Sequence, residues 1–349
     1  MRTVIRFRTP LSIYARASAV GKTEHDGPLG ALFDFHDETD RFGADTWEKG
    51  EESLSRTVLN LALSRAGESQ DQIDLLFAGD LQNQCVASSS GCGSMGIPFC
   101  GLYGACSTSC EGLLLASLSL SAAPDLSRVA VVTTSHNAAA ERQFRLPLEY
   151  GGQRSPTAQW TATAGGAFLL CRANEPFAPR SAPRITACLP GRALDSGVSD
   201  AANMGAAMAP AAADTILRFF ASGGERPADY DRIVTGDLGS EGSALLSELL
   251  RENGLDLQGR HRDCGVLLFD PLKTDVHAGG SGCGCSASVL ASLFLPALER
   301  GELRRILFLA TGALMSPSCL LQGESIRGIA PLVVLEAGEI REKKGECRL

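Results

Sequence analysis

The sequence repeats itself at long range, and this repeat constrains the fold more than any other feature. The stretch "GESQDQIDLLFAGDL" (67–81) matches "GERPADYDRIVTGDL" (224–238) without a gap. Each stretch predicts the end of a helix, a short turn and an apolar run stopped by Gly-Asp, and such runs are typical of strands buried on both faces. A second pair, "RVAVVTTS" (128–135) and "RILFLATG" (305–312), also predicts two buried strands. We therefore expect two halves of the chain to fold alike.

Two small cysteine-bearing turns lie at equivalent positions of this repeat. Cys106 of "GACSTS" (104–109) falls on Cys283 of "GGSGCGCSAS" (279–288) when the second pair of strands is aligned. A helix-like segment follows each turn. The first of these, 107–123, is rich in Ser, Ala and Gly, so we expect neighbouring elements to approach it closely. Each half alternates helix and strand, which predicts parallel sheets joined by right-handed crossovers.

The proline-dotted stretch "NEPFAPRSAPRITACLP" (174–190) is the natural join between the halves. We place the division after residue 178, with an N-terminal half at 1–178 and a C-terminal half at 179–349. The length of 349 residues suits a pair of such units. The expected fold class is α/β, with two pseudo-symmetric halves in which sheets and helices form layers.

Composition argues against several functional classes. The net charge is −8 and no long Lys/Arg block occurs, so we expect no nucleic acid partner. The first residues carry arginines throughout, and no segment approaches about 18 uninterrupted apolar residues, which argues against a signal peptide and a membrane-spanning helix. The 12 cysteines form no CxxC pair, so we expect reduced thiols and no metal site.

Cys106 lies where a strand-like run gives way to a helix. A thiol at the N-terminus of a helix meets unpaired N–H groups and the positive end of the helix dipole, which lowers its pKa. The same N–H groups can bind an anion. We therefore expect Cys106 and Ser107 to belong to a site, with a well-packed turn around an inert cysteine as the alternative interpretation.

A polar, arginine-bearing loop leaves the strand "RVAVVTT" at its carboxyl end, where open α/β sheets place their sites. The loop carries His136, Asn137, Arg142 and Arg145, and His277 precedes the second cysteine turn. Arginine side chains bind carboxylates by forked hydrogen bonds. The loop therefore indicates a site for a planar, doubly charged carboxylate, with a solvated surface loop as the alternative.

Seven stretches along nearly the whole chain carry a resemblance to known proteins. They are "DGPLGALFD" (26–34), "DLLFAGDLQNQ" (74–84), "IPFCGLYGACSTSCE" (97–111), "SHNAAAERQFRLPLEYGGQRSPTA" (135–158), "MGAAMAPAAADTI" (204–216), "AGGSGCGCSA" (278–287) and "ATGALMSP" (310–317). With its duplication and its cysteine turn, the chain resembles the thiolase and ketoacyl-synthase superfamily, and within it the stage V sporulation protein AD family. The resemblance implies a thiolase-like fold with layered α/β/α/β/α architecture.

The family resemblance also implies a function. It implies binding of dipicolinic acid (pyridine-2,6-dicarboxylate, with calcium left open) for uptake into the developing endospore. The protein would act as a soluble component beside other stage V sporulation A membrane proteins, peripheral on the cytoplasmic side of the forespore inner membrane. It would hold no resident cofactor, and the superfamily suggests a homodimer. The planar dianion agrees with what the arginine loop indicates.

Carried over residue by residue, the superfamily's nucleophile matches Cys106, but its acid–base partners match poorly. "TGDL" (235–238) has no histidine, His277 lies close to the family histidine of the glycine-rich second loop, and "ATGAL" replaces the thiolase Cys-x-Gly. A condensing enzyme needs such groups to deprotonate the thiol and to stabilise the oxyanion. We therefore expect a binding site without turnover; the alternative is an acyltransferase that forms a thioester on Cys106 from acyl-coenzyme A. The expected ligand-binding residues are Cys106, Ser107, His136, Asn137, Arg142, Arg145, Asp237, Gly280 and Ser281.

Overall fold

The computed structural model describes residues 4–144, 154–222 and 224–339. The first half contains the strands β1 (Ile5–Gly21), β2 (Phe35–Asp37), β3 (Leu75–Gly79), β4 (Phe99–Gly101), β5 (Val129–Ser135), β6 (Trp160–Thr161) and β7 (Ala164–Arg172), and the helices α1 (Lys22–His25), α2 (Trp47–Ala66), α3 (Val86–Gly93), α4 (Thr108–Ala122) and α5 (Asn137–Phe144). The second half contains the strands β8 (Arg184–Leu189), β9 (Leu194–Asp195), β10 (Arg232–Thr235), β11 (His261–Asp263), β12 (Gly280–Ser281), β13 (Arg305–Leu309), β14 (Gly312–Leu314), β15 (Arg327–Ile329) and β16 (Leu332–Glu336), and the helices α6 (Met204–Ala221), α7 (Gly239–Glu252), α8 (Cys264–Leu268), α9 (Cys283–Val289), α10 (Leu295–Glu299) and α11 (Pro317–Leu321). Within these ranges no helix combines the length and the apolar character that crossing a membrane requires.

One mixed sheet of 11 strands runs through both halves. Its order is β11-β10-β13-β16-β8-β1-β7-β5-β3-β4, with β2 attached to β1, so the strand order of one half is mirrored in the other. Strands β3 and β10 are parallel to their neighbours, whereas the central strands form antiparallel pairs. The prediction of parallel sheets is wrong for these central strands, because an apolar run buried on both faces carries no information about strand direction.

Helices α4 and α9 form the central layer. Helix α4 contacts β5 of its own half and β16 of the other, and α9 contacts β5 and β7 of the other half. The hydroxyl oxygens of Ser109 and Ser286, which are equivalent residues of the repeat, lie 2.7 Å apart, so the pseudo-two-fold axis passes between them. Helices α2 and α3 pack on the first half, and α6 and α7 on the second. The prediction of an α/β fold with two pseudo-symmetric, layered halves is confirmed.

Equivalent ion pairs stabilise the two halves. Arg128 Nε lies 2.7 Å from Glu68 Oε1, and Arg305 Nη2 lies 2.9 Å from Glu225 Oε1. A tyrosine hydroxyl donates a hydrogen bond to each glutamate as well. Both glutamates and both arginines occupy matching positions of the repeat. The repeat in the sequence is therefore a repeat of tertiary contacts.

Removing either glutamate should destabilise the protein to a similar extent. The Glu68 and Glu225 side chains are only 9% and 17% exposed, and each loss removes a carboxylate that a partly buried arginine contacts. Arg305 retains a second carboxylate, Glu336, whose Oε1 lies 2.8 Å from its Nε. We expect Glu68→Gln and Glu225→Gln each to lower the free energy of unfolding by about 2 kcal/mol, measured by urea denaturation at neutral pH. Glu302→Gln, at an exposed ion pair with Arg300, is the control and should not move the unfolding midpoint. Clearly unequal losses would contradict the equivalence of the two pairs.

A buried acid in α1 makes the stability depend on pH. Glu24 Oε1 accepts a hydrogen bond from the Thr163 N–H at 3.0 Å, while its Oε2 is buried and has no hydrogen-bond partner among the described residues. Burial raises the pKa of Glu24 to about 8. Between about pH 4, where an unfolded glutamate titrates, and this raised pKa, the folded state binds one proton more than the unfolded chain. The stabilisation is thus complete at the acid end and is lost as the pH rises through this window.

The variant Glu24→Gln removes this titrating group. We expect the free energy of unfolding to fall less steeply with rising pH than in the wild type, by about 1.4 kcal/mol per pH unit between about pH 5 and 8. Urea denaturation across this range measures both slopes, and the remaining buried acids retain part of the slope in the variant. Parallel curves for the two proteins would show that Glu24 is not a buried, neutral acid.

Candidate functional site

Cys106 lies in the tight turn between β4 and α4 and is only 5% exposed. Ala105 adopts a left-handed backbone conformation (φ 50°), which turns the chain before the helix. Ser107 precedes the first residue of α4, and its Oγ donates to the Gly104 carbonyl oxygen at 2.7 Å. The predicted helix at 107–123 is confirmed, and the cysteine stands at its N-terminal end.

The polar partner of Cys106 comes from the second half. The Sγ of Cys106 lies 3.6 Å from Ser281 Oγ, and Ser281 Oγ donates to Asp237 Oδ2 at 3.0 Å. Ser281 ends β12 and lies within the second cysteine turn, and Asp237 belongs to the repeated Gly-Asp pair after β10. The structure therefore brings together three residues that the sequence singled out, in the order thiol, hydroxyl and carboxyl.

Asp237 is fully buried, and neutral groups hold its carboxyl. Its Oδ2 also accepts from the Gly282 N–H at 2.9 Å, and its Oδ1 accepts from the Thr311 hydroxyl at 2.8 Å. In the described part of the chain no Lys, Arg or His side chain forms an ion pair with it. Burial raises the pKa of Asp237 to about 6 because no cation offsets the loss of water.

The thiol of Cys106 is held in its protonated form. Burial, together with the negative charge of Asp237, raises the pKa of Cys106 well above its ordinary value. The prediction of a lowered pKa at the helix N-terminus is therefore wrong, because desolvation and the nearby carboxylate outweigh the helix dipole. The thiolate that a nucleophilic cysteine needs is scarce at neutral pH.

A small cavity lies against Cys106. It contains about 30 Å³ that a water-sized sphere can enter. Cys106 and Ser281 contribute polar atoms to its surface, whereas side chains such as Leu81, Ala140 and Phe144 make its walls largely apolar. A largely apolar lining with a few polar groups at one end is typical of small-molecule sites.

The cavity opens toward solvent past three larger side chains. A wider depression of about 260 Å³ is lined by Tyr103, Phe144 and Met315, and the same three residues line the cavity. Phe144 is the last described residue of α5, and the preceding Gln143 fixes this part of the helix because its Nε2 donates to the Leu81 carbonyl oxygen at 2.7 Å. Phe144 is therefore held between the inner cavity and the outer depression.

His136 and Asn137, two predicted site residues, have partners within the protein. His136 is buried, and its Nε2 lies 2.8 Å from the Asp40 carbonyl oxygen. Burial lowers the pKa of His136, so the ring is neutral at pH 7. Asn137 Nδ2 donates to the carbonyl oxygen of Thr161 at 3.1 Å, and Thr161 lines the cavity. Asn137 thus supports the cavity wall from behind.

The second glycine-rich loop presents a serine to the thiol. His277 Nε2 pairs with Asp275 Oδ1 at 2.7 Å, and the residue of this loop that contacts Cys106 is Ser281. The carbonyl oxygen of Gly280, another predicted ligand residue, accepts a hydrogen bond within the protein. A role for His277 or Gly280 toward a ligand stays a prediction.

The prediction of a loop after β5 is wrong for its described part, because residues Asn137–Phe144 form helix α5 and Arg142 lies on this helix. Arg142 is 54% exposed, and its Nη1 lies 3.1 Å from Glu48 Oε1. Arg145 lies outside the described residues. Binding of a carboxylate by either arginine therefore stays a prediction.

Sequence reasoning missed Gln159, a buried residue that joins the two loops of the second half. Its Nε2 donates to the carbonyl oxygens of Asp237 and Gly280, at 2.7 and 2.9 Å. Gln159 itself belongs to the first half, so it links the halves directly behind the site. No motif marks it. Thr311 was also missed, although the repeat places it opposite Thr134 at the end of a buried strand.

Cys283, the equivalent of Cys106, is a packing residue. It is fully buried, and its Sγ donates to the Thr134 carbonyl oxygen at 3.0 Å. Within the described ranges, no three His, Cys, Asp or Glu side chains are grouped as a metal site would require.

Several solved structures share this fold. OleA of Xanthomonas campestris superimposes with a TM-score of 0.57 at 15% identity, covering 95% of this chain and 100% of that chain. The tetronic acid condensing enzyme AbyA1 gives a TM-score of 0.58 at 17% identity, covering 94% of this chain and 100% of that chain. At these identities the likeness shows the fold alone, and it confirms the thiolase-like architecture.

The sequence match is more specific than the structural one. Residues 1–336 match the profile of the family described as stage V sporulation protein AD. The stage V sporulation protein AD of Bacillus subtilis (strain 168) is 42% identical over 330 residues, which are 95% of this chain and 95% of that protein. With its thiolase-like fold and this match through both halves, the chain belongs to the stage V sporulation protein AD family.

Proposed function

We propose that this sporulation protein binds dipicolinic acid in the cavity beside Cys106 and holds it, without turnover, for uptake into the developing endospore. One observation carries the proposal: a largely apolar cavity lies beside a thiol that burial and the carboxyl group of Asp237 keep protonated. In the described part of the chain no histidine lines this cavity. Without a base to take its proton, the thiol suits a binding surface better than a nucleophile.

The shape of the cavity suits a flat ring with a carboxylate at its inner end. Tyr103, Phe144 and Met315 offer apolar surfaces to a pyridine ring. The inner carboxylate would lie at the N-terminus of α4, beside Cys106, where the helix dipole favours an anion. The present space of about 30 Å³ suits one or two water molecules. Binding therefore requires Phe144 or Met315 to move toward the outer depression.

The outer carboxylate would face the arginine loop. Arg142 lies on α5 and would exchange its exposed partner Glu48 for the ligand, at little cost because exposed ion pairs are weak. Arg145 would supply a second cation. Two arginines at the outer end would complement the dianion that one helix N-terminus cannot neutralise alone.

Calorimetric titration with dipicolinate tests the function and the site. We expect saturable binding by the wild type and about tenfold weaker binding by the double variant Arg142→Ala/Arg145→Ala, since each lost charge pair costs about 1 kcal/mol or less. Arg300→Ala, at a remote exposed ion pair, should bind as the wild type does. Unchanged binding in both Cys106→Ala and the double arginine variant would refute the site, and no binding by the wild type would refute the function.

A Cys106 acyltransferase is the second candidate function. The solved neighbours favour it, because one is a condensing enzyme and another was solved with cerulenin bound. Mass spectrometry after incubation with acyl-coenzyme A donors separates the two functions. A stable acyl adduct on Cys106 that is absent from Cys106→Ala would support the enzyme, and its absence from the wild type would support the binding protein.

We also propose a homodimer formed through the edge strand β4. The opposite edge strand, β11, exposes the charged side chain of Arg262, and an exposed charge discourages the addition of another strand. Strand β4 carries no charge, and its Cys100 and Gly101 are exposed. Pairing of two β4 strands about a two-fold axis would continue the sheet. Light scattering should show a dimer for the wild type and for Cys100→Ser but a monomer for Cys100→Lys; a monomeric wild type would refute the dimer.

The proposed place in the cell follows from family membership. We propose that the protein lies peripherally on the forespore inner membrane, beside other stage V sporulation A membrane proteins. Fractionation of sporulating cells should find it with that membrane, and it should become soluble when those membrane proteins are deleted. Equal recovery in the soluble fraction of both strains would refute this location.

A further inference from the structure

The carboxyl group of Asp237 poses a problem for any anion in the Cys106 cavity. Only one hydroxyl separates it from the cavity: Asp237 Oδ2 lies 3.0 Å from Ser281 Oγ, and Ser281 lies on the cavity surface beside Cys106. An ionised Asp237 would therefore place a fixed negative charge directly behind the inner carboxylate of the ligand. Like charges repel strongly where water is excluded.

The surroundings of Asp237 do not neutralise this charge. Three groups donate hydrogen bonds to its carboxyl oxygens: the Ser281 hydroxyl, the Gly282 N–H and the Thr311 hydroxyl. The other groups that face it are the Cys106 thiol before α4, the Asp263 carboxyl at the end of β11, and the Cys264 and Cys285 thiols of α8 and α9. None of them is a cation. Asp263 is itself a buried acid and adds to the repulsion.

We propose that the anionic ligand enters this cavity together with one proton, which Asp237 takes up from solvent. This inference rests on the proposed function and adds its regulation by pH. The proton bonds to Oδ2, so Asp237 changes from a carboxylate to a neutral carboxylic acid, and the net charge in the site increases by one. No other bond forms or breaks.

Protonation would also supply a hydrogen-bond donor to the ligand. In the structure the Ser281 hydroxyl donates to the Asp237 carboxylate, so its proton faces away from the cavity. Once Oδ2 carries a proton, it can donate to Ser281 Oγ instead. The Ser281 hydroxyl proton is then free to turn toward the cavity and donate to the inner carboxylate of the ligand. Protonation of Asp237 thus removes the repulsion between its carboxylate and the ligand, and it makes the Ser281 hydroxyl a hydrogen-bond donor to the ligand.

Asp237 can take up this proton near neutral pH. Burial raises the pKa of Asp237 to about 6, so the carboxyl gains a proton readily when an anion approaches. The carboxyl groups of the ligand titrate near pH 4 in water, so the ligand stays ionised between about pH 6 and 8. In this range the pH dependence of binding therefore reports on the protein.

Calorimetric titration with dipicolinate in calcium-free buffers of different ionisation enthalpy measures how many protons the protein takes up for each ligand that binds. We expect uptake of about one proton per bound ligand near pH 7.5, and a Kd that rises about tenfold for each pH unit above 6. Asp237→Asn should bind with clearly less proton uptake and with a Kd that depends only weakly on pH, because its amide is always neutral and can donate to Ser281, while the buried Asp263 remains. Asp80→Asn, the equivalent acid of the first half, is the matched control and should retain the wild-type pH dependence.

A second variant guards against misfolding of Asp237→Asn. Ser281→Ala leaves Asp237 in place but removes the donor, so binding should weaken at every pH while proton uptake persists. Binding by the wild type without proton uptake and with a constant Kd would overturn the inference and leave the proposed function intact. Proton uptake that persists unchanged in Asp237→Asn would also overturn it, because another group would then take up the proton. Absence of dipicolinate binding at every pH would instead refute the proposed function.

Discussion

Gly284→Ala should be the most destabilising single methyl group that can be added to this protein near the site. Gly284 lies in the first turn of α9, where the helix presses against the sheet. An added Cβ would overlap the Ala164 carbonyl oxygen and lie only 2.7 Å from Ser135 Oγ. The carbonyl belongs to the backbone of β7 and cannot turn aside, so the helix itself must shift. We expect the free energy of unfolding to fall by about 4 kcal/mol, a loss typical of severe overpacking.

A matched glycine provides the control for this substitution. Gly93 ends α3 with ordinary helical backbone, and an added Cβ there would meet no atom within 4 Å. Gly93→Ala should leave the stability unchanged or raise it by up to about 1 kcal/mol, because alanine loses less backbone entropy in a helix. Urea denaturation of both variants tests the contrast. If Gly284→Ala were as stable as Gly93→Ala, the close packing of α9 on β7 would be contradicted.

Ala140→Phe should abolish the binding of dipicolinate. Ala140 lies on α5, is 5% exposed and lines the cavity beside Cys106. A benzyl group at this position would occupy the space that the ligand ring needs. Opening the cavity again would cost about 3 kcal/mol, so we expect the Kd to rise at least about 100-fold. Ala140→Leu adds less volume and should weaken binding to a smaller extent.

A neighbouring alanine on the same helix separates this effect from damage to α5. Ala138 is half-buried and does not line the cavity in the described part of the chain. Ala138→Phe should bind dipicolinate as the wild type does. The melting temperature of each variant shows whether it is folded. Wild-type affinity in a folded Ala140→Phe would mean that the ligand binds elsewhere, for example only on the arginine loop.

The candidate site could be predicted from the sequence in part. Asp237 and Ser281 were singled out together with Cys106, and the structure joins the three by hydrogen bonds. His277 was singled out by the same reasoning, yet it pairs with a surface aspartate. A motif places a residue on a loop, but the backbone of that loop decides where the side chain points. At His277 the backbone is left-handed (φ 47°), a conformation that no pattern of residue types predicts.

The protonation of the thiol could not be predicted locally. The position of Cys106 before α4 predicted a lowered pKa, because the helix dipole alone would lower the pKa of a thiol there. The pKa of Cys106 is instead raised by burial and by Asp237, a residue from the other half of the chain. Long-range contacts of this kind determine electrostatics but leave no local signature in the sequence.

The duplication, the alternation of helix and strand around each cysteine turn, the equivalence of the two turns and the family can be read from the sequence alone. These follow from apolar periodicity, glycine and proline positions and long matching stretches, all of which are local or self-comparing properties. Tertiary structure decided the direction of the central strands, the meeting of Cys106 with Ser281 and Asp237, and the raised pKa of the thiol. These depend on which loops of the two halves meet and on how much water they exclude, and both are set only when the halves pack together.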